Sequence, residues 1–190
     1  MEMGKQTSMK IIASLTILFL PSLCFGADVG VKSIQLIAGY VVSPVIKTHR
    51  PDLNYVMTNV RFDWMRFGSG FRMIGEITYS ETTTGASGYL VGGTLLLRHD
   101  FARRGNLIPY AQVGAGVLYT DLYKDYSQNL IGNEIEFNPQ GSLGFRYVTS
   151  TNLSLDAEIM FHHVSNAGLG DRNTGVNGAG FLVGLTYNWE

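Results

Sequence analysis

His163 and Ser165 stand two residues apart in the stretch HHVSNAGLGDRNTGVN, residues 162–177, where a run of alternating apolar and polar residues ends. In an extended chain residues i and i+2 share a face with Cα atoms ~6.6 Å apart, a gap that a His–Ser hydrogen bond can bridge. A histidine so placed can take the serine proton, which nucleophilic acyl transfer requires. The competing reading is bland: a strand must become a loop somewhere, and membrane interfaces tolerate His and Ser. Choosing between the two depends on where the surrounding elements send these side chains.

Those elements are strands. From residue 178 to the end, Ala179, Phe181, Val183, Leu185, Tyr187 and Trp189 alternate with small or polar residues, the period of two that marks an extended segment with unlike faces. In the preceding segment Leu153, Leu155, Ala157, Ile159 and Phe161 oppose Ser154, Asp156, Glu158, Met160 and His162. A face carrying Asp, Glu and His cannot meet lipid, so it lines an interior that is polar or internally paired. Similar alternation predicts strands near 33–43, 54–66, 71–81, 86–99, 108–120 and 132–148, eight in all with the last two. Eight is the smallest common size for a single-chain membrane barrel, and side chains can fill its interior. The expected fold is therefore all-β, an eight-stranded antiparallel transmembrane β-barrel. The ending Gly184-Leu-Thr-Tyr187-Asn-Trp189 resembles the Gly-x-x-aromatic-x-aromatic close of outer-membrane barrels, with Glu190 added.

The N-terminus fits that destination. A short basic region, an apolar run broken by Pro21 and small residues near Gly26 read as a secretory signal peptide over 1–26, with the barrel occupying 27–190. Cys24 leaves with that leader, so no disulfide or cysteine-held metal is expected. Charged residues make up 15% of the chain, which also holds 23 Gly, ten Tyr and ten Phe, and the formal charge is −1. A near-neutral surface of this kind argues against nucleic acid as a partner. Longer links at 43–54, 121–133 and 166–177 against tight ones such as MRFGSG and TSTN place the long loops outside and both termini in the periplasm.

Register then orients the pair. His163 and Ser165 continue the odd-numbered, lipid-facing series of Leu153 to Phe161, at the far end of its strand. Ten or so residues at ~3.3 Å each, tilted ~40°, rise roughly 25 to 28 Å, about the height of the apolar band, so the pair reaches the outer-leaflet interface. Glu76, Asp156, Glu158, Arg72, Arg98 and His162 point inward and are expected to form a paired polar core, not a channel. Lys47, His49, Arg50, Lys124 and Arg172 fall in outer loops, where they are candidates to meet phosphate.

His163-Val-Ser165-Asn166-Ala-Gly168-Leu, with Asn173 and Gly175 following, resembles the signature of the outer-membrane lipid A 3-O-deacylases, the PagL-type acyloxyacyl hydrolases. The likeness runs from Pro109-Tyr-Ala-Gln-Val-Gly-Ala-Gly116 to the C-terminus, and Phe137, seven residues before Gly144, matches a phenylalanine that the family sets beside its site. The resemblance implies His163 as base, Ser165 as nucleophile, Gly168 with Asn166 or Asn173 as oxyanion donors, and Phe137 as an aid to acyl placement. For these last residues a Gly- and Asn-rich turn and an ordinary lipid-facing aromatic are the simpler readings. The family's third catalytic member is a Glu twelve residues after the serine, and Asn177 stands there. An Asn carbonyl can still fix the His tautomer but adds no charge against imidazolium. The expected consequences are a slower enzyme, a substitute carboxylate in Asp171 or Glu136, or loss of activity.

The function implied is a serine esterase that removes the 3-hydroxyacyl chain from position 3 of lipid A in lipopolysaccharide. Its setting is the outer membrane, with a second copy of the chain as a further candidate partner. The alternatives are a non-catalytic structural or adhesive barrel and another lipid A acyl-modifying enzyme. No GxSxG elbow, phosphate loop or zinc-spaced His cluster occurs, so no cofactor or metal is implied.

Overall fold

A computed structural model describes residues 27–45 and 52–189. The assigned signal peptide and the loop cations Lys47, His49 and Arg50 lie outside the described residues. The strands are β1 (Asp28–Val42), β2 (Tyr55–Phe67), β3 (Phe71–Thr82), β4 (Tyr89–Asp100), β5 (Leu107–Thr120), β6 (Ile135–Phe137), β7 (Gln140–Val148), β8 (Leu153–Val164) and β9 (Val176–Asn188). Every pairing is antiparallel, and β9 returns to β1 in register from Ser33↔Asn188 to Val42↔Ala179, closing the sheet. No helix among the described residues is long and apolar enough to cross a membrane.

The strand expected over 132–148 is instead two pieces in one barrel position. β6 and β7 both pair with β5 in a continuous register, Val117↔Phe137 and Gly114↔Gln140, so the barrel is eight-stranded. The break falls at Asn138-Pro139 because proline has no N–H to give the ladder. Asn138 N–H still reaches Gly116 O at 3.1 Å, so the sheet stays shut across the gap. Alternation also mislaid the start of β1. A register irregularity between Val29 and Ser33, with Gly30 at φ 144°, interrupts the period of two, and the strand begins at Asp28 instead of 33.

The outer face is apolar between two aromatic zones. Phe181, Val183 and Leu185 are each about half exposed, as lipid-facing side chains are. Tyr79, Tyr89 and Tyr119 lie ring to ring at the long-loop end, while Phe71, His99 and Phe101 cluster at the short-turn end. Inside, buried arginines meet carboxylates. Arg61 donates from Nε to Glu76 at 2.6 Å and from both Nη atoms to Glu158 at 2.8 and 2.9 Å. Arg146 reaches Asp156, and Arg72 and Arg98 converge on Asp100. Toward the loops the interior turns apolar, with Leu118, Leu122, Leu130, Ile131, Val164 and Val176 all buried together. Val164 and Val176 anchor the inner face of the strand ends whose outer face carries the site.

Removing one member of a buried ion network leaves the others desolvated and uncompensated, at a cost of about 3–5 kcal/mol. Arg61→Leu, which strands Glu76 and Glu158, is expected to destabilise the barrel by about that amount, read as a lowered urea midpoint in detergent followed by heat-modifiable gel mobility.

Candidate active site

The site is built by pairing. His163 lies directly across from Asn177 in the β8–β9 ladder, so their side chains leave the sheet on the same outer face. His163 Nδ1 is 2.7 Å from Asn177 Oδ1, and Nε2 is 2.9 Å from Ser165 Oγ. A carboxamide oxygen only accepts, so Nδ1 carries the ring proton and Nε2 offers its lone pair to the serine hydroxyl. All three residues are half-buried, open to the membrane side.

The backbone beneath them is held from both sides. His163 N–H donates to Pro139 O at 3.0 Å, while Ser165 and Phe137 exchange both backbone hydrogen bonds at 2.8 and 3.0 Å. Phe137 is therefore the cross-strand partner of Ser165 on the same outer face, 37% exposed. Across the site Gly175 has φ 71°, and a Cβ there would meet His163 Cε1 at 3.2 Å and Ser165 Cβ at 3.4 Å. Glycine lets the incoming chain pass close to the pair in a left-handed conformation that other residues resist.

The loop after Ser165 is knotted internally. Ala167 and Gly168 are consecutively left-handed, at φ 54° and 80°. Asn166 is fully buried: its Oδ1 accepts from Gly168 N–H at 3.0 Å, its Nδ2 donates to Arg172 O at 3.2 Å, and its N–H donates to Asn173 Oδ1 at 3.0 Å. The Gly168 amide expected to face an oxyanion is thus engaged within the loop, and so is the Asn166 carboxamide. Asn173 uses its oxygen in this network, which leaves its amide nitrogen as a donor.

Neither substitute carboxylate replaces the missing glutamate. Glu136 is buried on the inner face of β6, opposite in sense to Phe137, and accepts from Asn133 N–H at 3.1 Å. Asp171 is exposed on the loop, and the His163 nitrogen it would need is occupied by Asn177. Arg172, expected to meet phosphate, turns the other way. Its guanidinium donates to the carbonyls of Asp125 at 2.8 Å, Gln128 at 3.2 Å and Tyr123 at 2.5 Å, and lies 4.5 Å from the Tyr126 ring centre. It straps the 166–175 loop onto the 121–134 loop, and Thr174 and Gly175 add backbone bonds to Asn129 and Leu130. Gln128, which nothing in the sequence singled out, organises that second loop: its carboxamide oxygen accepts from Leu130 and Ile131 N–H at 2.6 and 2.9 Å, and its nitrogen reaches the Leu122 and Ile131 carbonyls. Among the described residues no His, Asp and Glu group is gathered as a metal site.

A closed eight-stranded barrel with an apolar outer belt and polar, ion-paired interior is an integral outer-membrane protein. The family model for lipid A 3-O-deacylase (PagL) matches residues 52–186, and the chain belongs to that family. Among solved structures, the crystal structure of the outer membrane enzyme PagL is similar at TM-score 0.62 and 17% identity, over 80% of this chain and 97% of that one. Neisserial surface protein A is similar at TM-score 0.63 and 14% identity, over 86% and 99%. No curated protein sequence matches the chain.

The hydrogen bond that His163 Nδ1–H donates to Asn177 Oδ1 supplies orientation without charge. Asn177→Ala is expected to lower turnover about tenfold, the worth of one hydrogen bond of ~1.4 kcal/mol. Asn177→Glu is expected to raise it above the natural chain, because a charge-assisted bond is about twice as strong. Turnover of lipid A in detergent by both variants, with unchanged heat-modifiable mobility as the folding control, checks the order.

Proposed function

We propose that this lipid A 3-O-deacylase is a serine esterase that removes the 3-hydroxyacyl chain from position 3 of lipid A in lipopolysaccharide. The observation that carries the reading is the line of two hydrogen bonds, Asn177 to His163 to Ser165, on the lipid-facing wall at the long-loop end. His163 Nε2 takes the Oγ proton as Ser165 attacks the ester carbonyl. The tetrahedral oxyanion is held by amide donors of the 166–175 loop, the Asn173 nitrogen first among them. His163 then returns the proton to the glucosamine oxygen as the C–O bond breaks, leaving the acyl chain on Ser165. Water deprotonated by His163 attacks the acyl-enzyme, and the 3-hydroxy fatty acid departs as the proton goes back to Oγ.

An outward-facing site suits a substrate that is itself a lipid of the outer leaflet and arrives laterally. This reading sets the long loops outside and the termini in the periplasm, which brings Ser165 level with the acylated sugars. The absence of a carboxylate behind His163 favours a slow enzyme over a fast one.

Mass spectrometry of lipid A incubated with the purified barrel in detergent tests the reading. The expected result is loss of one 3-hydroxyacyl mass, abolished by Ser165→Ala. Unchanged lipid A with a folded barrel, or loss of a chain that persists in Ser165→Ala, would overturn it.

A further inference from the structure

The loop that follows Ser165 has little apolar material to hold it. Leu169 is its only large hydrophobic residue, and it is 75% exposed. The knot of Asn166 with Gly168, Arg172 O and Asn173 Oδ1 fixes the loop's own shape. Where that shape sits above the barrel is decided by the neighbouring 121–134 loop.

That neighbour is built as a receptor for one guanidinium. The Asp125 carboxylate accepts from Ser127 N–H at 2.8 Å, and Gln128 Nε2 donates to the carbonyls of Leu122 at 3.0 Å and Asp125 at 3.1 Å, around the short turn Leu122–Lys124. These bonds lie within the 121–134 loop, so they hold the carbonyls of Tyr123, Asp125 and Gln128 in place for a visitor. The Arg172 guanidinium donates to all three. The two backbones also lie against each other at two glycines. A Cβ on Gly132 would collide with Arg172 O and Arg172 Cβ, and one on Gly170 with the Asn133 carboxamide.

Arg172 is also tied inward. Its carbonyl accepts from Asn166 Nδ2, and it directly precedes Asn173, whose Oδ1 is taken by Asn166 N–H. The Asn173 nitrogen can therefore be placed only as accurately as the backbone at 172. We propose that Arg172 is a positioning residue for the deacylation, seating its guanidinium among three carbonyls of the 121–134 loop and so setting the Asn173 amide where the oxyanion forms at Ser165. The inference rests on the serine esterase reading above. A donor aimed at developing charge acts on the transition state more than on the bound ester, so loosening the strap lowers kcat and spares KM. A planar guanidinium matches several converging carbonyls, whereas an ammonium is a point charge with no such fork, so lysine does not substitute.

The test compares a p-nitrophenyl ester with its thiono analogue, in which sulfur replaces the carbonyl oxygen, on the natural chain, Arg172→Ala and Arg172→Lys in detergent, with heat-modifiable mobility as the folding control. Sulfur accepts hydrogen bonds weakly, so a well-placed oxyanion donor shows as a strong preference for the oxygen ester. The proposal expects both variants to lose about tenfold to a hundredfold in kcat on the oxygen ester, as a slight misplacement of a catalytic group costs, with KM within about twofold. It expects the preference over the thionoester to shrink by a similar factor. Added methylguanidinium should restore part of the lost kcat in Arg172→Ala and none in Asn173→Ala. A fall in kcat with the preference unchanged would make the strap merely structural and overturn the proposal, as would Arg172→Lys matching the natural chain. A natural chain that cleaves neither ester defeats the esterase reading and the role of Arg172 with it, whereas an active chain indifferent to Arg172→Ala defeats this inference alone.

Discussion

In hydrocarbon an unpaired backbone N–H or C=O has no water to turn to, so every strand of this chain must be paired on both sides along its membrane length. That requirement fixes the register between β8 and β9 from Leu153↔Tyr187 up to Val164↔Val176. Because side chains alternate, a slip of one residue would carry the whole lipid-facing set of β8 into the interior and Asp156, Glu158 and His162 into lipid. Register is held that firmly for reasons of solvation alone. The juxtaposition of His163 with Asn177 comes with it, and the ring tautomer that frees Nε2 for Ser165 comes with the juxtaposition.

The same constraint explains why the proposed site lies on the outer face. The interior is filled by Arg61, Arg98 and Arg146 with their carboxylates and is capped toward the loops by buried Leu, Ile and Val side chains, so no acyl chain has room there. The outer wall is apolar, and its substrate is already dissolved beside it. What the protein adds is a polar trio at the top of that wall and a loop to hold it. The loop is short of apolar contacts and is secured instead by directed hydrogen bonds: the Asn166 carboxamide inside it, and the Arg172 guanidinium strapping it to its neighbour.

Much of this was legible in the sequence. Period-two alternation revealed the strands and which face met lipid, because the polarity of a barrel is inverted and an inward Glu158 or Asp156 cannot be mistaken for a lipid-facing residue. It failed where backbone chemistry intervened, at Pro139, which breaks the ladder without breaking the register, and at Gly30, where the period is lost. The shared face of His163 and Ser165 follows from spacing, whereas the partnership with Asn177 needs the hairpin register that spacing alone does not contain. The engagement of the Gly168 amide and the inward turn of Arg172 were not legible at all. Both depend on backbone carbonyls and amides as partners, and every residue has those, so no pattern of side-chain types announces them.

The central claim is that Asn177 holds His163 in the form that makes Ser165 a nucleophile. A fluorophosphonate, which captures a serine only when a base has activated it, reads that claim directly when the adduct is mapped by peptide mass spectrometry in the folded barrel. The account predicts one adduct, on Ser165, lost in His163→Ala. Labelling of a different serine, or of Ser165 with undiminished rate in His163→Ala, would contradict it.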